Sequence, residues 1–167
     1  MNDDGPTPGR HGGWKPTAAL ILAASVIGIV TGIVALGLEH LVDDLIKVLF
    51  DGPAWLPAVA VIVGALATAI VVRYAAGGST SSTEVYVDEF HEEAPTVEPK
   101  HAPGRLLAAF TTLGSGAPLG MEGPAVYTGT AVATGLRRRW PTLGGVSHNP
   151  LLVAGAAAGV AAVFKAP

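Results

Sequence analysis

Residues 113–124 read LGSGAPLGMEGP, and this short stretch decides how the chain can fold. It holds four glycines and two prolines inside an apolar region that continues to Leu136 with Glu122 as its single charge. In a helix interior each glycine costs about 1 kcal/mol and a proline about 3 kcal/mol, so an unbroken helix is disfavoured. We predict a break here, followed by a new helix over residues 125–136, with Pro124 in its first turn and Glu122 at its N-terminal edge.

Three other apolar runs cover residues 17–38, 54–72 and 150–164. A helix of the first run is about 33 Å long, enough to cross a hydrocarbon core of about 30 Å, and the run is too long for a signal peptide. Half of the chain is hydrophobic, only 14% is charged, and the mean hydropathy is +0.48, whereas soluble domains carry about 25% charged residues. The composition therefore predicts an all-α, multi-pass membrane protein.

The same composition excludes several classes of protein. A net charge of −3 argues against a basic nucleic-acid-binding protein, and the high hydropathy argues against a disordered chain or a coiled coil. The chain has no cysteine, which removes disulfides, thiolate metal sites and cysteine nucleophiles. The histidines and carboxylates of residues 79–101 show no recognised ligand spacing. We therefore expect no metal site, no cofactor, no nucleic-acid partner and no enzymatic activity.

Charges near the apolar runs predict the orientation of the chain. The first helix keeps an apolar periodicity to Phe50 and carries Glu39 and other acidic residues near its end. Basic residues cluster instead near the N-terminus and after the second run, and residues 137–139 are all arginine. By the positive-inside rule we expect a cell-membrane protein with a cytoplasmic N-terminus and an external turn at Asp51. Residues 1–16 are expected to form a disordered leader, and residues 17–167 the membrane domain.

A helix that starts within the membrane presents unpaired backbone amides and a partial positive charge, which favour an anion. Broken helices of this kind mark substrate sites in transporters. Glu122 lies at the predicted start, where burial opposes its charged form and the helix N-terminus supports it. When ionised it competes with a small anion for the same amides, and when protonated it is free to leave, so it could act as a proton-coupled gate. The structural alternative is a helix-capping carboxylate that pairs with an arginine or reaches an interface.

The sequence GMEGP at residues 120–124 resembles the G-x-E-G-P signature of the CLC chloride channels and chloride/proton antiporters. Residues 155–167 resemble the Gly/Ala-rich helix of that family that ends in F-x-A-P. The resemblance covers residues 17–167 and implies a CLC-type inverted-repeat helical fold, a homodimer, and transport of chloride or another small anion with protons. It implies that Glu122 is the gating glutamate. Further anion-binding residues implied at this motif are Gly120, Met121, Gly123 and Pro124.

The family's second anion-binding motif, G-S-G-x-P, has two counterparts here. Ser79 follows the second apolar run, where the motif belongs, although the residues after it depart from the signature. Ser115 lies in GSGAP, a better copy, but only a few residues before Glu122. The resemblance favours Ser79 as the anion-binding serine, and the departure leaves the identity of the anion open.

Two positions depart from the family pattern near the gate. Met121 replaces the basic residue that usually precedes the glutamate, which weakens the attraction for anions. Lys165 stands where many members carry a neutral residue. It is interpreted either as a charge at the cytoplasmic edge or as a replacement for the positive charge missing at Met121.

The resulting prediction is transmembrane anion transport, as a channel or as a chloride/proton antiporter. The alternative is a non-transporting membrane anchor or assembly protein, which would need neither a broken helix nor an intramembrane acid. Because the chain ends directly after F-x-A-P, with no polar tail or closing helix, we expect it to be truncated and inactive alone.

Overall fold

The computed structural model describes residues 14–78, 97–140 and 148–166. Five α-helices and one short 3-10 turn, Pro99–His101, form in these segments. The helices are α1 (Trp14–Phe50), α2 (Leu56–Tyr74), α3 (Ala102–Gly114), α4 (Glu122–Arg139) and α5 (His148–Phe164). The predicted all-helical fold is confirmed for these residues, and α1 begins three residues before the predicted start of the membrane domain.

Two helices form a hairpin that is long and apolar enough to cross a membrane. The apolar part of α1 covers Ala18–Phe50 and that of α2 covers Leu56–Tyr74. The predicted turn at residues 51–53 separates them, and Pro57 lies in the first turn of α2, where its missing N–H costs nothing. Most side chains of α2 are exposed, as lipid-facing side chains would be in a chain without its membrane.

Helices α4 and α5 pack closely against each other at their glycine residues. A Cβ atom at Gly129 would overlap the carbonyl oxygen of Gly155, and one at Gly159 would overlap the carbonyl oxygen of Ala125. These pairings run in opposite directions along the two helices, so α4 and α5 are antiparallel. Gly155 and Gly159, four residues apart, therefore form a small-residue face in close contact with α4.

Gly28 and Gly32 of α1 have the same four-residue spacing but a different environment. Among the residues that the structure places, no atom lies within 4 Å of a Cβ built at either position. Small residues at a spacing of four allow close helix packing but do not require it, because a partner helix must also be present on that face.

Helix α1 packs against the α4–α5 pair at one end and against the end of α3 further along. Near its start, Ala23 and Ile27 pack with Ala133 of α4 and Leu151 of α5. Further along, a second buried cluster joins α1 to the end of α3 and to the residue before α4, through Leu38, Val42, Leu113 and Met121. The start of α4 therefore lies beside the later part of α1, and α4 runs antiparallel to it.

Candidate functional site

The predicted helix break is confirmed. Helix α3 ends at Gly114, residues 115–121 are not helical, and α4 begins at Glu122, somewhat earlier than predicted. Gly116 has φ +91°, a conformation that glycine adopts at little cost. Ser115 packs so closely on Gly64 in the middle of α2 that a Cβ at that glycine would overlap its side chain. The break therefore lies beside the middle of α2, a helix long and apolar enough to cross a membrane.

The start of α4 has backbone amides with no acceptor in the helix. The first bond of the helix runs from the N–H of Ala125 to the oxygen of Met121, at 3.1 Å. The amides of Glu122 and Gly123 precede that bond and have no intrahelical acceptor. Pro124 has no N–H, so it can contribute shape to an anion site but no hydrogen bond.

The side chain of Glu122 folds back across its own helix start. Its Oε2 atom occupies the space that a Cβ of residue 120 would need, and Gly120 leaves that space open. Glu122 is exposed. The carboxylate is therefore held beside the break rather than buried among the helices.

A cavity of about 370 Å³ lies directly against this start. Its wall includes Gly120 and Pro124 and reaches across to α2 and α3. The residues lining it are Thr68, Val72, Ala76, Arg105, Ala108, Ala109, Thr112, Leu113, Leu119, Gly120, Pro124 and Tyr127. The wall is mainly apolar, with one cation and a few hydroxyl groups.

The cation is Arg105, one of the basic residues that follow the second apolar run. Its guanidinium carbon lies 4.2 Å from the ring centroid of Tyr127, and the Tyr127 hydroxyl donates to the Glu98 carbonyl at 3.2 Å. Arg105 is the only charged residue of α3. A lone charge in an apolar helix is a signal that could have identified it.

Val97 and Glu98, which precede α3, both contact α4. Val97 is fully buried against Tyr127 and Ala131. Its neighbour Glu98 accepts a hydrogen bond from Lys100, which lowers the pKa of that carboxyl below its usual range. This anchoring fixes the position of Tyr127 beneath Arg105.

Hydroxyl groups on the cavity wall are already engaged with one another. Thr68 Oγ1 lies 2.8 Å from the hydroxyl oxygens of both Thr111 and Thr112. Each of those two donates to the carbonyl oxygen of Ala108, at 3.0 and 2.8 Å. The group therefore joins α2 to α3, and its protons are committed to protein acceptors.

The structure describes only one of the two candidate serines, Ser115. Ser115 is buried, and its hydroxyl donates to the carbonyl oxygen of Thr112 at 2.7 Å, so it acts in packing against Gly64. Ser79 lies outside the described residues. The two residues before it, Gly77 and Gly78, have φ +77° and +76° and end α2 in a turn that glycine favours.

Lys165 has a partner that the sequence did not indicate. Its Nζ atom lies 2.8 Å from Oε1 of Glu39 on α1. Because Glu39 belongs to the acidic end of α1, a cytoplasmic Lys165 and an external turn at Asp51 cannot both hold. Its role as a replacement for the charge missing at Met121 stays a prediction.

Over residues 14–78, 97–140 and 148–166, no three His, Asp or Glu side chains gather into a metal-binding cluster. The chemistry of this site therefore consists of a helix start, a carboxylate beside it, and a cavity with one arginine. Such a site suits a small anion.

Comparison with known proteins agrees with this description. The sequence model of the family described as "Voltage gated chloride channel" matches residues 63–167, well over half of the chain. The chain belongs to this family, whose curated members include chloride channels and chloride/proton exchangers.

Individual relatives match over most of this chain but only part of their own length. The H(+)/Cl(-) exchange transporter ClcA of Vibrio vulnificus is 31% identical over 170 residues, covering 93% of this chain and 35% of that protein. ClcA of Salmonella arizonae is 28% identical, with 92% and 35% covered. Chloride channel protein CLC-d of Arabidopsis thaliana is 37% identical over 76 residues, covering 38% of this chain and 10% of that protein. The chain thus spans about a third of the ClcA proteins.

Proposed function

We propose that the intact protein moves chloride or a similar small anion across the cell membrane, with Glu122 as a proton-coupled gate. The observation that carries this proposal is the position of the Glu122 carboxylate, folded over Gly120 at the start of α4. That start offers amides to an anion, and it borders a cavity whose mainly apolar wall includes Arg105. Membership of a family with chloride/proton exchangers supports the same conclusion.

The anion is proposed to bind at the start of α4. The amides of residues 120, 121 and 123 are the donors, and Pro124 shapes the wall. An ionised Glu122 competes for this position because it is itself an anion, and protonation removes that competition. Arg105 raises the local concentration of anions from the far wall of the cavity. Ser79 is proposed as a further donor.

The structure supports a multi-pass orientation with the N-terminus in the cytoplasm. Because α4 is antiparallel to α1, Arg137–Arg139 lie toward the start of α1, and Arg73 ends the antiparallel α2 on that side. The acidic end of α1 and Lys165 lie on the other side. This distribution obeys the positive-inside rule. A homodimer in a lipid bilayer is proposed from family membership.

The decisive experiment measures chloride and proton fluxes of the intact protein in liposomes. Glu122→Gln keeps the size of the side chain but cannot be ionised. We expect proton movement driven by a chloride gradient to be lost while chloride flux remains. The matched control is Asp44→Asn, which changes an exposed carboxylate on a different helix, α1. It should leave both fluxes unchanged.

Three results would contradict the proposal. Proton movement that persists in Glu122→Gln would show that another group carries the proton. Absence of chloride flux from the intact wild-type protein would instead favour a membrane anchor or assembly protein. A chloride flux that never depends on protons, in wild type as in Glu122→Gln, would assign a channel and contradict proton coupling.

A further inference from the structure

Lys165, the residue that follows α5, has an unusual backbone conformation. Lys165 has φ +51°, and among the described residues it is the one non-glycine with positive φ. The N–H of Ala166 closes the helix by donating to the oxygen of Ala161 at 3.1 Å. Glycine normally occupies this position of a helix end because it lacks a Cβ. A lysine at this position indicates that its side chain makes a contact that offsets the backbone cost.

The side chain of Lys165 reaches across to α1. Its ammonium group contacts Glu39, which is about three-quarters buried, while the lysine itself is largely exposed. Glu39 also lines a cavity of about 220 Å³. The other residues that line it are Ala35, Asp43, Met121, Ala162 and Val163. Met121 is the residue immediately before Glu122.

We propose that Glu39 and Lys165 form a clamp between α1 and α5 that positions Met121, and through it the start of α4. The clamp acts at a point where no side chain caps the helix, since Met121 makes no capping hydrogen bond. Met121 packs against Leu38 and Val42 of α1 through apolar contacts. Both clamp residues are positioning residues, and their effect on Glu122 rests on the proposed function.

The position of Met121 can be measured without transport. The chain has no cysteine, so Met121→Cys gives a single thiol whose labelling rate reports exposure of this position. In that background Glu39→Gln and Lys165→Gln should each raise the rate about threefold, as expected for loss of a partly exposed ion pair. The exchange of both charges, Glu39→Lys with Lys165→Glu, should return the rate toward the original value.

Two further variants separate the clamp from other effects. Lys165→Gly provides a better helix end but no ammonium group, so it should raise labelling as Lys165→Gln does. Asp44→Asn breaks an exposed pair with Lys47 on the same helix, 3.2 Å long, and should change nothing. Unchanged labelling in Glu39→Gln and Lys165→Gln, or a low rate in Lys165→Gly, would overturn the clamp.

Transport gives the second measurement. In the intact protein, breaking the clamp should lower the number of protons moved per chloride, and the charge exchange should restore it. In the Glu122→Gln background the same changes should have no effect on chloride flux. A wild-type protein without chloride flux would overturn the proposed function, while the labelling experiment would still decide whether the clamp exists.

Discussion

The carboxylate of Glu122 lies over the α-carbon of Gly120, in space that every other amino acid would fill with its Cβ. The family signature has glycine at this position, and the structure shows a physical reason for it in this chain. The backbone of Gly120 and the carboxylate of Glu122 lie next to each other at the start of α4. A change at residue 120 therefore alters the surroundings of Glu122, the proposed gate.

Gly120→Ala should displace Glu122 without unfolding the protein. The added Cβ would overlap only the flexible end of the glutamate side chain, so Glu122 can turn away. We expect several-fold weaker coupling of protons to chloride in liposomes and an unchanged melting temperature. Gly135→Ala is the control, because a Cβ there meets only Pro99 at 3.8 Å; equal effects of the two changes would contradict this account.

Gly159→Ala should destabilise the contact between α4 and α5. Its Cβ would meet the backbone oxygen of Ala125, which cannot rotate away, and overpacking of this kind costs about 1–3 kcal/mol. Gly32→Ala adds the same atom to α1 where nothing lies within 4 Å. That control should be neutral or stabilising by up to about 1 kcal/mol, since alanine favours a helix. Denaturant unfolding in detergent distinguishes them, and an equally mild Gly159→Ala would refute the close contact.

Arg105→Gln should weaken anion binding from the cavity side. Removing the guanidinium lowers the positive potential on the wall, and we expect an apparent chloride affinity about tenfold lower at low ionic strength. The difference should shrink in high salt because screening weakens the attraction. The control is Arg73→Gln, an exposed arginine at the end of α2. An affinity unaffected by Arg105→Gln would remove this residue from the anion site.

Single cysteines test the proposed orientation. Asp51→Cys lies in the turn after α1, and Arg139→Cys lies at the end of α4; both positions are exposed. On intact cells a membrane-impermeant thiol reagent should label the first and not the second. Labelling of Arg139→Cys alone would place the N-terminus outside.

Much of the candidate site could be predicted from the chain. The glycines and prolines of residues 113–124 disfavour helix whatever surrounds them, so the break and the position of Glu122 followed from local energetics. Arg105 and the partner of Lys165 were missed. Their roles depend on residues distant in sequence, Tyr127 for the first and Glu39 for the second.

The chain alone therefore determined the helices, the break and the family, because these depend on local backbone preference, hydropathy and short motifs. Tertiary structure decided which glycines meet another helix: Gly155 and Gly159 do, whereas Gly28 and Gly32, with the same spacing, do not. It also brought Arg105 to the cavity beside Gly120 and Lys165 to Glu39. Such contacts depend on how whole helices are placed in space, and no short segment of sequence carries that information.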